Sequence, residues 1–225
     1  LLKDIEDPNH TQLFINPKVD YNLYDGFILA STFKNNSFLH KDLEVAVTPA
    51  YSFKSQSFSG FFKTVYHKYL EDKAINSYRF GIGGSYFHYQ PELAYKKLTT
   101  FAEIFFKRKN LRSVKNRSAS LSYNMLDKEI DLTHNNPSET DNYNIFRLNY
   151  VYHNPEIINN FSYNTNLEVA SKFSKLSTDI RFRKLTNRNQ QFGVRLFAGI
   201  FLHNKTTSDY FSYGVNRPHD YLFKY

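Results

Sequence analysis

Apolar and polar positions alternate along most of this chain. In residues 174–183, Leu176, Thr178, Ile180 and Phe182 fall on one side, and Lys175, Ser177, Asp179, Arg181 and Arg183 on the other. Successive side chains of a β-strand point to opposite faces, so this spacing predicts a half-apolar strand; a helix would scatter the charges around its surface. The same period recurs. Tyr78, Phe80 and Ile82 oppose Ser77, Arg79 and Gly81. Ala119, Leu121, Tyr123 and Met125 oppose Ser118, Ser120, Ser122 and Asn124. Phe161, Tyr163, Thr165, Leu167 and Val169 oppose Ser162, Asn164, Asn166 and Glu168, and Val194, Leu196, Ala198 and Ile200 oppose Gly193, Arg195 and Gly199. Around Phe146, Leu148, Tyr150 and Tyr152, only Ile145 and Val151 break the pattern.

These runs predict strands at 26–34, 43–54, 58–69, 75–89, 94–108, 117–127, 143–153, 158–170, 173–184 and 191–203, with a further short one at 209–215. Most are longer than the roughly 5–6 residues of strands in soluble proteins. They match the roughly 9–11 residues that a tilted strand needs to cross a bilayer. Short polar links join them, such as Ser55-Gln56-Ser57, Gln90-Pro91-Glu92 and Asn154-Pro155-Glu156, which suit hairpins rather than helical crossovers. The one long connection, 127–142, is polar and reads as an extracellular surface loop. Residues 1–20 contain two prolines and no clear period. They read as a lead-in segment from a preceding domain, with residues 21–225 as one barrel domain incomplete at its C-terminus.

Composition sharpens the picture. Aromatic residues make up 18%, as 22 Phe and 18 Tyr without Trp. Tyr66 and Tyr69, Tyr86 and Tyr89, Tyr150 and Tyr152, and Tyr210 and Tyr213 near strand ends suit the aromatic girdles of membrane barrels. No apolar run approaches the 18 or so residues of a membrane helix, but barrel strands escape that test. The chain has no Cys, which removes disulfides, thiolate metal sites and Cys nucleophiles. It starts without Met and without a signal-peptide pattern, so it reads as a piece of a longer protein.

The polar positions include Arg79, Glu103, Arg147, Glu168, Asp179, Arg181 and Arg195. Inside a closed barrel these could pair across the lumen while Phe, Leu, Tyr and Ile face lipid, with every backbone group satisfied by closure. The predicted fold is therefore all-β: an antiparallel transmembrane β-barrel with ten or eleven strands in this chain, part of a larger barrel. Lys107, Arg108, Lys109, Arg112, Lys115 and Arg117 form a basic run between two strands. Its readings are a solvated turn, contact with lipid head groups and lipopolysaccharide phosphates, or, least favoured, nucleic acid.

Little else points to chemistry. The eight His residues are scattered, and no spacing predicts a metal site. Asp127, Glu129 and Asp131 lack the pattern of a calcium loop. Gly81-Ile82-Gly83-Gly84 lies within an alternating strand and is not followed by a helix, so it reads as strand glycines beside bulky neighbours or a bulge, not a nucleotide loop. No Gly-x-Ser-x-Gly elbow is present. The expectation is a non-enzymatic chain without cofactor, catalytic residue or metal.

The run Asn16 to Phe27 (NPKVDYNLYDGF) resembles the start of a barrel region in large Bacteroidetes envelope proteins. Pro49 to Lys54, Arg79 to Tyr89 and Arg195 to Tyr225 resemble it in the same order. In those proteins the barrel follows domains similar to gluzincin zinc aminopeptidases. The resemblance implies further strands after Tyr225 and a peptidase domain before Leu1. The zinc motif H-E-x-x-H is absent from this chain, so no catalytic residue carries over. The expected role is an outer-membrane anchor, or a docking component of a larger envelope protein or complex, whose partners are outer-membrane lipid, lipopolysaccharide and other envelope proteins. The alternatives are a porin-like channel or transporter barrel, and a soluble β-barrel binding anionic polymers.

Overall fold

A computed structural model describes residues 12–36, 41–70, 74–90, 93–110, 112–129, 142–186, 188 and 190–205. Its strands are β1 (Phe14–Asn22), β2 (Gly26–Lys34), β3 (Leu43–Ser52), β4 (Ser57–Tyr69), β5 (Ile75–Gln90), β6 (Leu93–Phe106), β7 (Asn116–Lys128), β8 (Tyr143–Asn154), β9 (Asn159–Ala170), β10 (Phe173–Leu185) and β11 (Gln191–Asn204). They form one antiparallel sheet in which each strand pairs with its sequence neighbours. Among the described residues, β1 and β11 each pair on one side only, so the sheet is an open meander rather than a closed barrel.

Ten of the strands lie where the alternation places them, within two residues at either end. The eleventh, β1, lies in the stretch that gave no clear period. Its faces do alternate: Ile15, Pro17, Val19 and Tyr21 against Asn16, Lys18, Asp20 and Asn22. Proline supplies no donor to a ladder and is therefore confined largely to sheet edges, and Pro17 occupies the edge strand. Residues 209–215 lie outside the described residues.

The pairing register sorts the strand residues onto two faces. Arg79 pairs with Glu103, which pairs with Ser120, then Asn149 and Asn166. On the opposite face, Tyr66 pairs with Phe80, Tyr123 with Phe146, Leu148 with Leu167, and Ile180 with Leu196. The first will be called the polar face and the second the apolar face.

Burial is inverted relative to a soluble sheet. Thr32, Thr48, Ser52, Lys97, Asn124 and Glu168 are buried, and all lie on the polar face. Phe27, Leu29, Phe58, Phe62, Phe80, Leu121, Phe146, Leu148, Leu196 and Ile200 are exposed, and all lie on the apolar face. Within the strands, Phe61, Tyr69 and Phe197 are the large exposed apolar residues on the polar side. Over its central strands the sheet occludes much of its polar face, whereas toward its two edges that face is open, with Lys18, Asp20, Arg181 and Arg195 exposed; the apolar face is turned outward.

Curling of the sheet accounts for the occlusion. The Asp25 carboxylate, in the turn before β2, lies 3.1 Å from His88 Nδ1 at the end of β5. In a flat sheet, three strand spacings of about 4.8 Å would separate these ends by roughly 14 Å. Ser55 Oγ, in the turn between β3 and β4, donates to the same carboxylate at 2.7 Å.

A small apolar cluster fills the polar side near the same rim. Tyr95, Leu126, Tyr143, Ile145 and Phe173 are buried together, with Phe87, Ala170 and Phe201 packed against them. Ile145 breaks the alternation of β8 for this reason: it faces the polar side, where it belongs to the cluster and is fully buried.

Glycines permit two close approaches. A Cβ at Gly81 would lie 2.5 Å from the Thr64 carbonyl oxygen and 3.0 Å from the Phe101 ring, which agrees with strand glycines beside a bulky neighbour. Gly60 has φ +145° and sits opposite Pro49, where a Cβ would overlap the Thr48 carbonyl oxygen. Gly60→Ala is expected to destabilise the sheet by about 1–3 kcal/mol through strain alone. Urea unfolding of the variant checks this, and unchanged stability would argue against the local geometry.

Candidate functional site

The polar face carries a charge ladder. Arg79 meets Glu103 across β5 and β6, with Nε to Oε2 at 2.6 Å and Nη2 to Oε2 at 2.5 Å. Two strands earlier in the same row, Glu44 lies 3.6 Å from His67. Glu168 on β9 sits between Arg147 on β8, at 3.8 Å, and Lys175 on β10, at 3.0 Å. The register itself places these three side by side, since Glu168 pairs with both Arg147 and Lys175.

The last two strands pose a conflict that the ladder resolves. Arg181 and Arg195 are register partners, so two like charges stand opposite one another. Asp179, two residues from Arg181 on the same face, accepts from both. Arg181 Nε and Nη2 reach its two oxygens at 3.1 Å, and Arg195 Nη2 reaches Oδ2 at 2.6 Å. Between the charged groups run amides and hydroxyls. Asn149 Nδ2 donates to Asn164 at 2.5 Å and also to Asn166, and Arg147 Nε donates to Asn166 at 3.1 Å. Thr99 donates to Asn124 at 2.8 Å, and Thr32 and Thr48 share a bond of 2.9 Å. The seven residues proposed to line a lumen thus share one face, and each takes part in a charge pair with another strand or with Asp179.

The apolar face keeps charge at its ends. On β7 its charged residues are Arg117 and Asp127, with Ala119, Leu121, Tyr123 and Met125 between them. The ten steps separating the two span about 33 Å at roughly 3.3 Å per residue. At a strand tilt of roughly 40°, that corresponds to about 25 Å of height, the thickness of the apolar band of outer-membrane barrels. Within this band, Thr165 and Thr178 are register partners and bond each other at 3.2 Å.

Aromatic contacts gather toward both rims. At the rim of the 23–25 and 53–56 turns, Tyr21 packs on Phe27 at 5.3 Å and Tyr51 on Phe58 at 5.1 Å. Toward the opposite rim, Tyr66 packs on Phe80 at 5.2 Å, and Tyr163 stacks between Tyr150 and Tyr152 at 5.7 and 5.4 Å. Of the tyrosines expected in girdles, Tyr66, Tyr86, Tyr150 and Tyr152 are on the apolar face, whereas Tyr69 is in register with the polar row. Tyr210 and Tyr213 lie outside the described residues, as does the Tyr89 side chain.

The basic run divides in two. Lys107, Arg108, Lys109 and Arg117 line a cavity of about 730 Å³ with His67, Arg79 and His153. Arg112 and Lys115 are exposed outside it, and Lys115 lies 3.9 Å from Glu156. The sequence did not reveal this cavity, because its walls come from β4 to β8 and only the register brings them together.

Glu129, just past β7, accepts a backbone bond from Ala94 N at 2.9 Å and faces Lys96 Nζ at 3.4 Å. The Ala94 amide, followed by Lys96, holds its carboxyl below the usual carboxylate range. A depressed folded value means that its contribution to stability is present above the ordinary carboxylate range. That contribution is lost as pH falls through the depressed value. Exchange of the Ala94 amide proton, corrected for intrinsic rate, should lose protection in that acidic window, and Glu129→Gln should abolish the pH dependence.

Among the described residues, no three His, Asp or Glu side chains gather as metal ligands. Asp131 lies outside the described residues. In comparisons with protein-family models, curated proteins and solved structures, nothing matches this chain.

Proposed function

We propose that this chain is the membrane-spanning part of a bacterial outer-membrane β-barrel, acting as an anchor or docking component of a larger envelope protein or complex. The observation that carries this reading is the inverted burial. A face of Phe, Leu, Ile and Tyr is turned outward, with its β7 charges held at the strand ends, while Thr32, Thr48, Lys97, Asn124 and Glu168 on the other face are buried and charged side chains there pair with one another. In water such an outward face would far exceed the apolar patch of a few hundred Å² usual for monomers. In lipid it is the expected solution, provided that closure satisfies the two free edges. Those edges make further strands part of the proposal.

An anchor is favoured over a pore by the cluster around Phe173, Ile145 and Tyr143, which fills the polar side near one rim. A peptidase-like domain before Leu1 is the attached domain that the opening stretch suggests. The exposure of Arg112 and Lys115 supports a contact of this hairpin with lipid head-group phosphates.

The test is electrophoretic mobility of the full-length protein extracted from outer-membrane fractions. A heat-sensitive shift in detergent is the expected result. A protein that stays soluble without detergent and shows no shift would overturn the reading in favour of a soluble β-domain.

A further inference from the structure

We infer that the rim carrying the 107–115 turn is the outer rim of the sheet, set against the phosphate-bearing lipopolysaccharide leaflet, and that the rim carrying the 53–56 turn faces the periplasm. The inference rests on the membrane reading above and adds a direction of insertion to it. Every strand pairs antiparallel with its sequence neighbours, so the connections fall alternately on the two rims. Connections 23–25, 53–56, 91–92, 129–142 and 171–172 lie at one rim, and 35–42, 70–74, 107–115, 155–158 and 186–190 at the other.

Two independent features separate the rims. The first is length. Four of the five connections at the 53–56 rim have two to four residues, whereas those at the 107–115 rim have four to nine. Outer-membrane barrels carry short turns on the periplasmic side and longer loops outside. The second is charge. By sequence, the five connections at the 107–115 rim hold eight Lys or Arg and four Asp or Glu, and those at the 53–56 rim hold two and six. Acids and bases of whole connections are counted together, so pairing within a rim leaves the balance unchanged. Lys and Arg beside an anionic leaflet are attracted to its phosphates, and Asp and Glu are repelled. The outward face of β7 has the same polarity, with Arg117 at the basic rim and Asp127 at the acidic one. Connection 129–142 is the exception in length and the clearest case in charge. Its length alone reads as an outer loop, but its charged residues are Glu129, Asp131, Glu139 and Asp141, without Lys or Arg. The charge balance and the other nine connections place it on the periplasmic side.

The absence of cysteine from the chain lets the direction be read by labelling, with any cysteine outside it replaced. Asn110→Cys and Ile157→Cys put a thiol at the 107–115 rim, and Ser171→Cys and Tyr24→Cys put one at the 53–56 rim. All four positions are exposed and lie between strands. Intact cells carrying the full-length protein are treated with a polymer-linked maleimide too large for porins, before and after permeabilisation of the outer membrane. Asn110→Cys and Ile157→Cys are expected to label in intact cells, and Ser171→Cys and Tyr24→Cys only after permeabilisation. Two positions per rim keep the readout should one variant fail to fold. Labelling of the 53–56 rim in intact cells, or protection of the 107–115 rim there, would overturn the inference and leave the membrane reading in place. A chain absent from the outer-membrane fraction of the same cells would overturn both.

Discussion

Leu196→Arg should destabilise the folded protein in lipid by about 2–4 kcal/mol. Leu196 is 61% exposed, and its partner Ile180 lies beside it near the middle of β10 and β11. On a protein bathed in water, a charge at so exposed a position changes stability by about 0.5 kcal/mol or less in either direction. In the hydrocarbon layer the guanidinium must instead be desolvated or must drag water and head groups inward. Ile180→Arg should behave in the same way. Urea unfolding of the protein in bilayers measures the loss. A neutral outcome for both variants would remove the main support for a lipid-facing surface.

Glu168→Gln should cost about 3–5 kcal/mol, although it is nearly isosteric. Glu168 is 6% exposed and sits between Arg147 and Lys175, whose side chains are themselves 25% and 12% exposed. Removing the negative charge leaves two cations close together on an occluded face with no carboxylate between them. Lys175→Met in the same chain should recover part of the loss, because one of the two neighbouring cations is then gone. Unfolding of the single and double variants checks both statements. Equal stability of Glu168→Gln and the native protein would mean that water screens this face as it would an ordinary surface.

Much of the sheet was legible in the sequence because the side-chain period of a strand is two, and few other structures share that period. Leu176 to Phe182 and Val194 to Ile200 show it plainly, and the strands follow. β1 escaped because Pro17 and short polar side chains weaken its pattern, and because edge strands tolerate proline. Ile145 looked irregular for a different reason: its place is set by a cluster assembled from β6, β7, β8 and β10, and no local pattern encodes that.

The charged residues could be assigned to a face but not to partners. Glu168 lies in register with Lys175 and Arg147, and the turn lengths between the strands decide that register. The basic run was legible as a charge cluster. Its position over a cavity was not, since Arg79, His67 and His153 approach it from other strands.

The most direct test exploits the absence of cysteine, which lets single Cys substitutions be labelled without background. Fluorescent labels placed one at a time at positions 175 to 182 in bilayer-reconstituted protein report the local medium. The account predicts a period of two: quenching by brominated lipid at 176, 178, 180 and 182, and none at 175, 177, 179 and 181. Uniform quenching by a water-soluble reagent along the whole of β10, with no lipid response at 178 or 180, would contradict it.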